Sequence, residues 1–352
     1  MTLTHRSVRR SATFDFPLGS WYAVARSSAV GRQPHAVRVL NRRVVVYRDS
    51  HGDAIALEDR CCHSSYPLSL GRVEGDDIRC GYSGFVYGRD GAVRSVPTQD
   101  HVPVGAGVTA YPTKEKGGFI WVWPGAPGRA AVRELPDLPW LTSNDWVTFG
   151  DDWVTQAHAS LLQDNFSDIT HITHLDPLVA PPVLRAVPPP ITVTVSEMSV
   201  TFGRTYPAAP LQTWQAEILE VPTDSEHEQR EEGIFLAPGL WVDRWDIDVV
   251  GRGEQDGTKT LYFTHTVTPL DERSTAHSWR VSRNFAPSAA ATGTMQPLLR
   301  DYYLTVRRAL ETIQEVIDHD GPRRDVTVLA DAAKVAVRKI MRHLAEEDGA
   351  RT

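Results

Sequence analysis

At 352 residues, 41% hydrophobic and 23% charged, the chain is long enough to bury a sizeable core and, at ordinary domain sizes, to form two domains. Its 37 Lys and Arg against 44 Asp and Glu give a net charge of −7 without long charge blocks, which argues against nucleic acid or an anionic membrane surface as partner. No apolar run of spanning length follows the basic start, and three cysteines, two of them adjacent, cannot build an even disulfide framework, so a cytoplasmic, enzyme-sized protein is expected.

In chain order, residues 1–13 read as a mobile tail. From Trp21 to Trp123 the signals are those of a small β domain. Ala36 to Leu40, Arg43 to Tyr47 and Ala54 to Leu57 are β-branched runs, broken by turns at Asp49 to Asp53 and Gly88 to Gly91. A last run, Gly118 to Trp123, stops at Pro124-Gly125. The expected division is therefore a β domain over 14–123, a linker over 124–140 and a second domain over 141–352. Ala157 to His174 carries Leu161, Leu162, Asn165, Asp168, Ile169 and Ile172 at spacings of three and four, which predicts one helix. Asp176-Pro177, Pro181-Pro182 and Pro188-Pro189-Pro190 forbid its continuation. Strands are predicted around Ile191–Phe202, Leu211–Leu219, Leu240–Val250, Thr260–Thr268 and Ser278–Phe285, joined as antiparallel hairpins. Leu298, Tyr302, Val306, Ala309, Ile313 and Ile317 then mark one face of a long helix, and a shorter helix runs from Asp331 to Leu344. The aromatic residues Trp241, Trp245, Tyr262, Phe263 and Trp279 read as core, with some lining any pocket the sheet encloses.

Two loop motifs carry the chemistry: Cys61-Cys62-His63 and, after sixteen intervening residues, Cys80-Gly81-Tyr82-Ser83. A Rieske [2Fe–2S] centre places two thiolates on one iron and two imidazoles on the other, a pattern of Cys-x-His and Cys-x-x-His. The first half is present and the second ends in Ser83, whose hydroxyl is a hard, weakly basic donor. Cys62 is expected to be a small buried residue.

With Pro67 to Gly71 inside the interval and Ile120 to Gly125 closing the domain, the chain resembles the oxygenase component of Rieske non-haem iron oxygenases, nearest the vanillate and dicamba O-demethylase branch. The resemblance implies an α+β protein. A Rieske-type all-β domain precedes a catalytic domain whose helix-covered antiparallel sheet encloses a substrate pocket, usually in homotrimers. It also implies a mononuclear iron held by two histidines and a carboxylate, on a helix reading Asp-Asn-x-x-Asp-x-x-His-x4-His. Asp164 to His171 matches that motif, the second histidine position falls on Asp176, and the third ligand position on Leu310, with Glu311 next to it. In the family Asp168 links the cluster of one subunit to the iron of the next.

Departures at Ser83, Asp176 and Leu310 touch both metal centres. They lead to the expectation of a protein without cofactor, in which Cys61, His63, Cys80 and Ser83 are vestigial cluster positions and His171, Asp176 and Leu310 vestigial iron positions. Its expected activity is a non-redox cyclisation, such as a cycloaddition in natural-product or polyketide assembly. An enclosed, water-poor cavity would hold an apolar small molecule folded, with His171, His174, Asp176, Asn165 and Asp168 as candidate catalytic residues. The alternatives are a Rieske monooxygenase or demethylase with unusual ligands, carrying [2Fe–2S] and Fe(II) and served by a reductase, and an inert partner subunit of an oxygenase. Two local alternatives stay open: a rearranged metal site of His171, His174 and Asp176, and a zinc ion trapped by Cys61, His63 and Cys80.

Overall fold

Turn residues cut the first third of the chain into runs too short to pair with anything but near neighbours, so small antiparallel sheets result. The computed structural model describes residues 16–168, 171–180, 184, 189–251, 257–323 and 326–349. The expected tail at 1–13, residues Ile169 and Thr170, and Pro181, Pro182 and Pro188 lie outside the described residues. Strands β1 (Tyr22–Arg26), β2 (His35–Val39), β3 (Arg42–Arg48), β4 (Ala54–Glu58), β5 (Arg72–Glu74), β6 (Asp77–Arg79), β7 (Val86–Tyr87), β8 (Val93–Ser95), β9 (Ala110–Tyr111), β10 (Thr113–Lys116) and β11 (Phe119–Val122) form three sheets. Their orders are β1-β11-β10, β2-β3-β4-β9 and β5-β6-β7-β8. The last two close on a core of Val45, Tyr47, Leu57, Leu68, Ile78 and Tyr87, and both cysteine loops hang from it.

Two 3-10 turns, Pro127–Val132 and Pro139–Leu141, follow. Next come β12 (Val147–Thr155), α1 (Ala159–Phe166), α2 (Ile172–Leu175), β13 (Thr192–Val195), β14 (Ser199–Pro210), α3 (Thr213–Leu219), β15 (Glu226–Leu236), β16 (Leu240–Val249), β17 (Lys259–Pro269), β18 (Thr275–Arg283), α4 (Ala289–Asp320) and α5 (Ala332–Gly349). One seven-stranded antiparallel sheet results, in the order β12-β18-β17-β16-β15-β14-β13. Helix α4 buries Met295, Leu299, Tyr302, Tyr303, Val306 and Leu310, and Tyr303 packs against Trp279 of the sheet with ring centroids 4.8 Å apart. The two regions share a core, since Tyr22, Val44 and Ile120 belong to the same buried cluster as Trp241 and Trp279. Backbone bonds stitch them as well: the Leu40 and Asn41 N–H groups donate to the Pro269 and Leu270 carbonyls at 2.8 and 2.7 Å.

The α+β architecture agrees with the sequence reading, but several elements differ. The helix expected over 157–174 is two pieces, α1 and α2. Ser167 ends α1 by turning its hydroxyl onto the Gln163 and Asp164 carbonyls, both at 2.9 Å, a local bond that competes with continuation. The strand expected at Leu211–Leu219 is α3, started by a reciprocal Gln212–Gln215 capping box and ended by Glu220 at φ +53°. Its buried Trp214 and Ile218 are four apart, a helical spacing that a short apolar run hides. On α4 the buried face is rotated from the expected one, and Ile313 is 45% exposed.

Strands β12 and β15 were not expected at all. For β15 the reason is physical: its inward residues are His227, Gln229, Glu231, Gly233 and Phe235, so the buried side of the alternation is mostly polar. Glu231 is held in that interior by partners on β14. Arg204 Nε lies 3.2 Å from Glu231 Oε2, and the Tyr206 hydroxyl donates to the same oxygen at 2.6 Å.

Removing one member of a buried ion pair strands the other charge. Arg204→Met should therefore lower stability by about 3–5 kcal/mol in urea denaturation, and the double variant Arg204→Met/Glu231→Leu should recover most of the loss. A single variant as stable as the wild type would show that Glu231 needs no cation.

Candidate functional site

The two cysteine loops are built alike. Cys61 N–H donates to Tyr66 O and Cys80 N–H to Phe85 O, both at 2.8 Å, while Ser65 N–H returns to Cys61 O at 2.9 Å and Gly84 N–H to Cys80 O at 3.1 Å. Closing each turn requires a left-handed residue, Ser65 at φ +60° and Gly84 at φ +73°. Both thiols end up buried and converge on Ser83. The Ser83 hydroxyl is 3.2 Å from Cys61 Sγ, and its N–H donates to Cys80 Sγ at 3.5 Å. Tyr87 donates its hydroxyl to Cys61 Sγ at 3.1 Å. Burial pushes the Cys61 thiol up, but hydrogen bonds from Ser83, Tyr87 and the His63 and Ser64 backbone outweigh it and hold the thiol below its ordinary value. His63 stacks on Phe85 with centroids 5.0 Å apart and is exposed at the rim. Cys62, expected to be buried, is exposed instead, its sulfur 3.3 Å from the Tyr87 hydroxyl. Its position in the tight turn faces it outward.

Among the described residues no three His, Cys, Asp or Glu side chains are placed to hold one metal ion. That arrangement gives no support to the zinc reading of Cys61, His63 and Cys80, or to the rearranged site of His171, His174 and Asp176. A two-iron cluster makes a different demand, because its ligands surround two irons and need not meet at one point. Two low-lying thiols on matched loops and an imidazole at the rim fit such a cluster, with the Ser83 oxygen at the fourth position. Loss of the hydroxyl proton is the condition for it to coordinate.

The second candidate site lies between the sheet and α4. A cavity of about 40 Å³ is lined by Asn165, His171, Asp243, Trp245, His265 and Tyr302, with Phe166, Ile172, Val179, Phe263, Leu299 and Tyr303 completing the wall. His171 Nδ1 donates to the Asp168 carbonyl at 2.8 Å, so in the neutral ring Nε2 accepts, and the Tyr302 hydroxyl lies 3.3 Å from it. Burial keeps His171 below the usual imidazole value, opposed by Asp168. His265 Nε2 is 3.4 Å from the Tyr303 hydroxyl, and His265 Nδ1 meets His277 Nε2 at 3.1 Å. Burial pushes His277 down to about 3 and His265 well below the ordinary range, so this imidazole pair is neutral. The Asp243 carboxyl is driven well above its ordinary value by burial and by the charge of Glu231.

Of the five candidate catalytic residues, His171 and Asn165 line this cavity. Asp168 contributes its backbone carbonyl to His171. His174 is exposed and does not line the cavity. Asp176 ends α2 and caps the following turn, its Oδ1 accepting the Leu178 N–H at 3.0 Å, and Leu310 is buried on α4. Of the three positions where the resemblance puts the mononuclear iron, His171 keeps its imidazole, while Asp176 and Leu310 depart from the set of two imidazoles and a carboxylate. Sequence reasoning missed Asp243, His265 and Tyr303. The signal was present: Asp243 falls between Trp241 and Trp245, and His265 between Phe263 and Val267, on the buried side of each alternation.

Comparison with known proteins agrees with this architecture. Residues 20–112 match the Rieske [2Fe-2S] domain and residues 155–347 the vanillate O-demethylase oxygenase C-terminal domain. The chain is 39% identical over 158 residues to the putative toluene-4-sulfonate monooxygenase system iron-sulfur subunit TsaM2 of Comamonas testosteroni, an alignment covering 45% of this chain and 46% of that one, about half its length. It is 30% identical over 273 residues to the vanillate O-demethylase oxygenase subunit of Pseudomonas sp. (strain ATCC 19151), covering 71% and 77% of the two chains. The crystal structure of dicamba monooxygenase bound to 3,6 dichlorosalicylic acid has the same fold, with a TM-score of 0.84 at 21% identity over 95% of this chain and 98% of that one. The expectation of a protein without cofactor is overturned by the match to a [2Fe-2S] domain. The relatives are oxygenases, which gives no support to a cyclase. The chain belongs to the vanillate O-demethylase oxygenase family, with a Rieske [2Fe-2S] domain preceding the family's C-terminal domain.

Proposed function

We propose that the protein is a Rieske-type oxygenase component that takes electrons from a reductase partner and acts on a small, largely apolar organic molecule held under α4. The observation that carries this reading is the matched pair of cysteine loops: both closed turns, both buried thiols and the Tyr87 hydrogen bond are in place around the cluster position. Cys61, Cys80, His63 and Ser83 would hold the cluster, which when bound supplies single electrons. Hydrogen bonds to a thiolate sulfur stabilise the reduced cluster, and the Tyr87 hydroxyl provides one such bond to Cys61.

The residues of the second domain bind and exclude water. Phe166, Trp245, Phe263 and Leu299 give the cavity an apolar wall, and His171, His265 and the two tyrosines give it polar points on opposite sides. As folded, the cavity has room for about one water molecule, so a substrate enters by displacing wall side chains. A second reading, favoured by the mismatch at Asp176 and Leu310, is a cluster-bearing subunit that works in a mixed oligomer with a metal-complete relative. Turnover by the isolated chain with a reductase excludes that second reading, and turnover only in the mixture supports it.

Protein purified and reconstituted without oxygen should hold about two irons and two sulfides per chain and absorb in the visible. Cys80→Ala should lose both the colour and reductase-driven turnover, and a colourless wild-type chain would sink the proposal. Replacing a serine oxygen by a neutral imidazole lowers the electron density on its iron, so Ser83→His should raise the cluster's reduction potential and shift its electron paramagnetic resonance spectrum. An unchanged spectrum would place Ser83 outside the ligand set.

A further inference from the structure

One group in the cavity has no part in the chemistry described so far. Asp243 stands in the middle of the inner sheet face, opposite Gly233 on β15 and Phe263 on β17. It is 7% exposed, and among the described residues its Oδ1 has no hydrogen-bond partner. The site makes room for that carboxyl, because a Cβ on Gly233 would lie 2.6 Å from Oδ1 and 2.1 Å from the Phe202 ring. The groups facing it are Glu231 on β15, His265 on β17, Tyr302 and Tyr303 on α4, and His171 after α1. Arg204 on β14 is engaged by Glu231. Among the described residues no lysine or arginine lines the cavity. A buried acid with no donor from the protein is satisfied in native proteins by water, an ion or a ligand.

We propose that Asp243 is a specificity-determining residue that selects substrates presenting a cationic amine or an N–H donor and excludes carboxylates and sulfonates. An entering ammonium gives the carboxyl the donor it lacks, while the rings of Phe166, Trp245 and Phe263 offer aromatic faces to the same charge. An entering anion loses its water with no lysine or arginine among the described lining residues to replace it. The selection rests on the cavity being the substrate site of the proposed oxygenase, but it is read by binding alone.

The test is isothermal titration calorimetry of the full chain with benzylamine, benzyl alcohol and benzoate, three probes of one shape and three charges. Benzylamine should bind at least about tenfold more tightly than benzoate, with the alcohol between them. Asp243→Asn, which keeps the shape and removes the acid, should erase the ranking, and Asp243→Ser serves the same purpose if the asparagine variant does not fold. Equal binding of the probes, no benzylamine binding at about 10 mM, or an unchanged ranking in the variant each overturns the proposal. A chain that ranks the probes as stated but shows no reductase-driven turnover keeps this inference and loses the oxygenase reading.

Discussion

The strict alternation of side chains across the seven-stranded sheet is the constraint on which the second domain depends. Each strand presents every second residue to α4, and the antiparallel register fixes which residues stand side by side: Phe202, Gly233, Asp243, Phe263 and Val281 form one row across five strands. A slip of one residue on β16 would send Trp241, Asp243 and Trp245 to the outer face and bring Val242 and Arg244 in. Register is enforced from both faces of the sheet. Trp241 and Trp279 are fully buried on the inner face, and Tyr262 on the outer face stacks on Trp140 with centroids 3.9 Å apart.

That constraint tolerates an interior that is unusually polar for a sheet core. Arg204, Glu231, Asp243, His265 and His277 all face inward and are all at least nine-tenths buried. Most are answered: Arg204 and Tyr206 by Glu231, His265 by His277, His171 by the Asp168 carbonyl. The low-dielectric surroundings then keep the imidazoles neutral. Such a network fixes the donors and acceptors around the cavity, while its apolar wall side chains are the ones a ligand displaces.

The cluster domain follows a different logic. Its geometry is local, set within two turns of the same length closed by equivalent backbone bonds, and it is legible from the spacing of Cys61, His63 and Cys80. For that reason the family and the α+β layout were readable in the sequence. The inference that departures at Ser83, Asp176 and Leu310 together leave the protein without cofactor is the step that fails, against the match to a [2Fe-2S] domain. A ligand count treats each position as all or nothing, whereas the loops that present the ligands are held by backbone bonds that do not depend on the side chain at position 83.

Sequence alone determined the elements whose signals are local: the β-branched runs of the first domain, the cysteine loops, the Asp164 to His171 motif and the period of the long C-terminal helix. Only the tertiary structure decided where α1 stops, that Leu211 to Leu219 coils, which face of α4 is covered, and that β15 is a strand. Those outcomes turn on partners distant in the chain. A charged strand such as β15 becomes possible because Arg204 and Tyr206 wait for Glu231 across the register, and Asp243 and His265 become one site because two hairpins place them under the same helix.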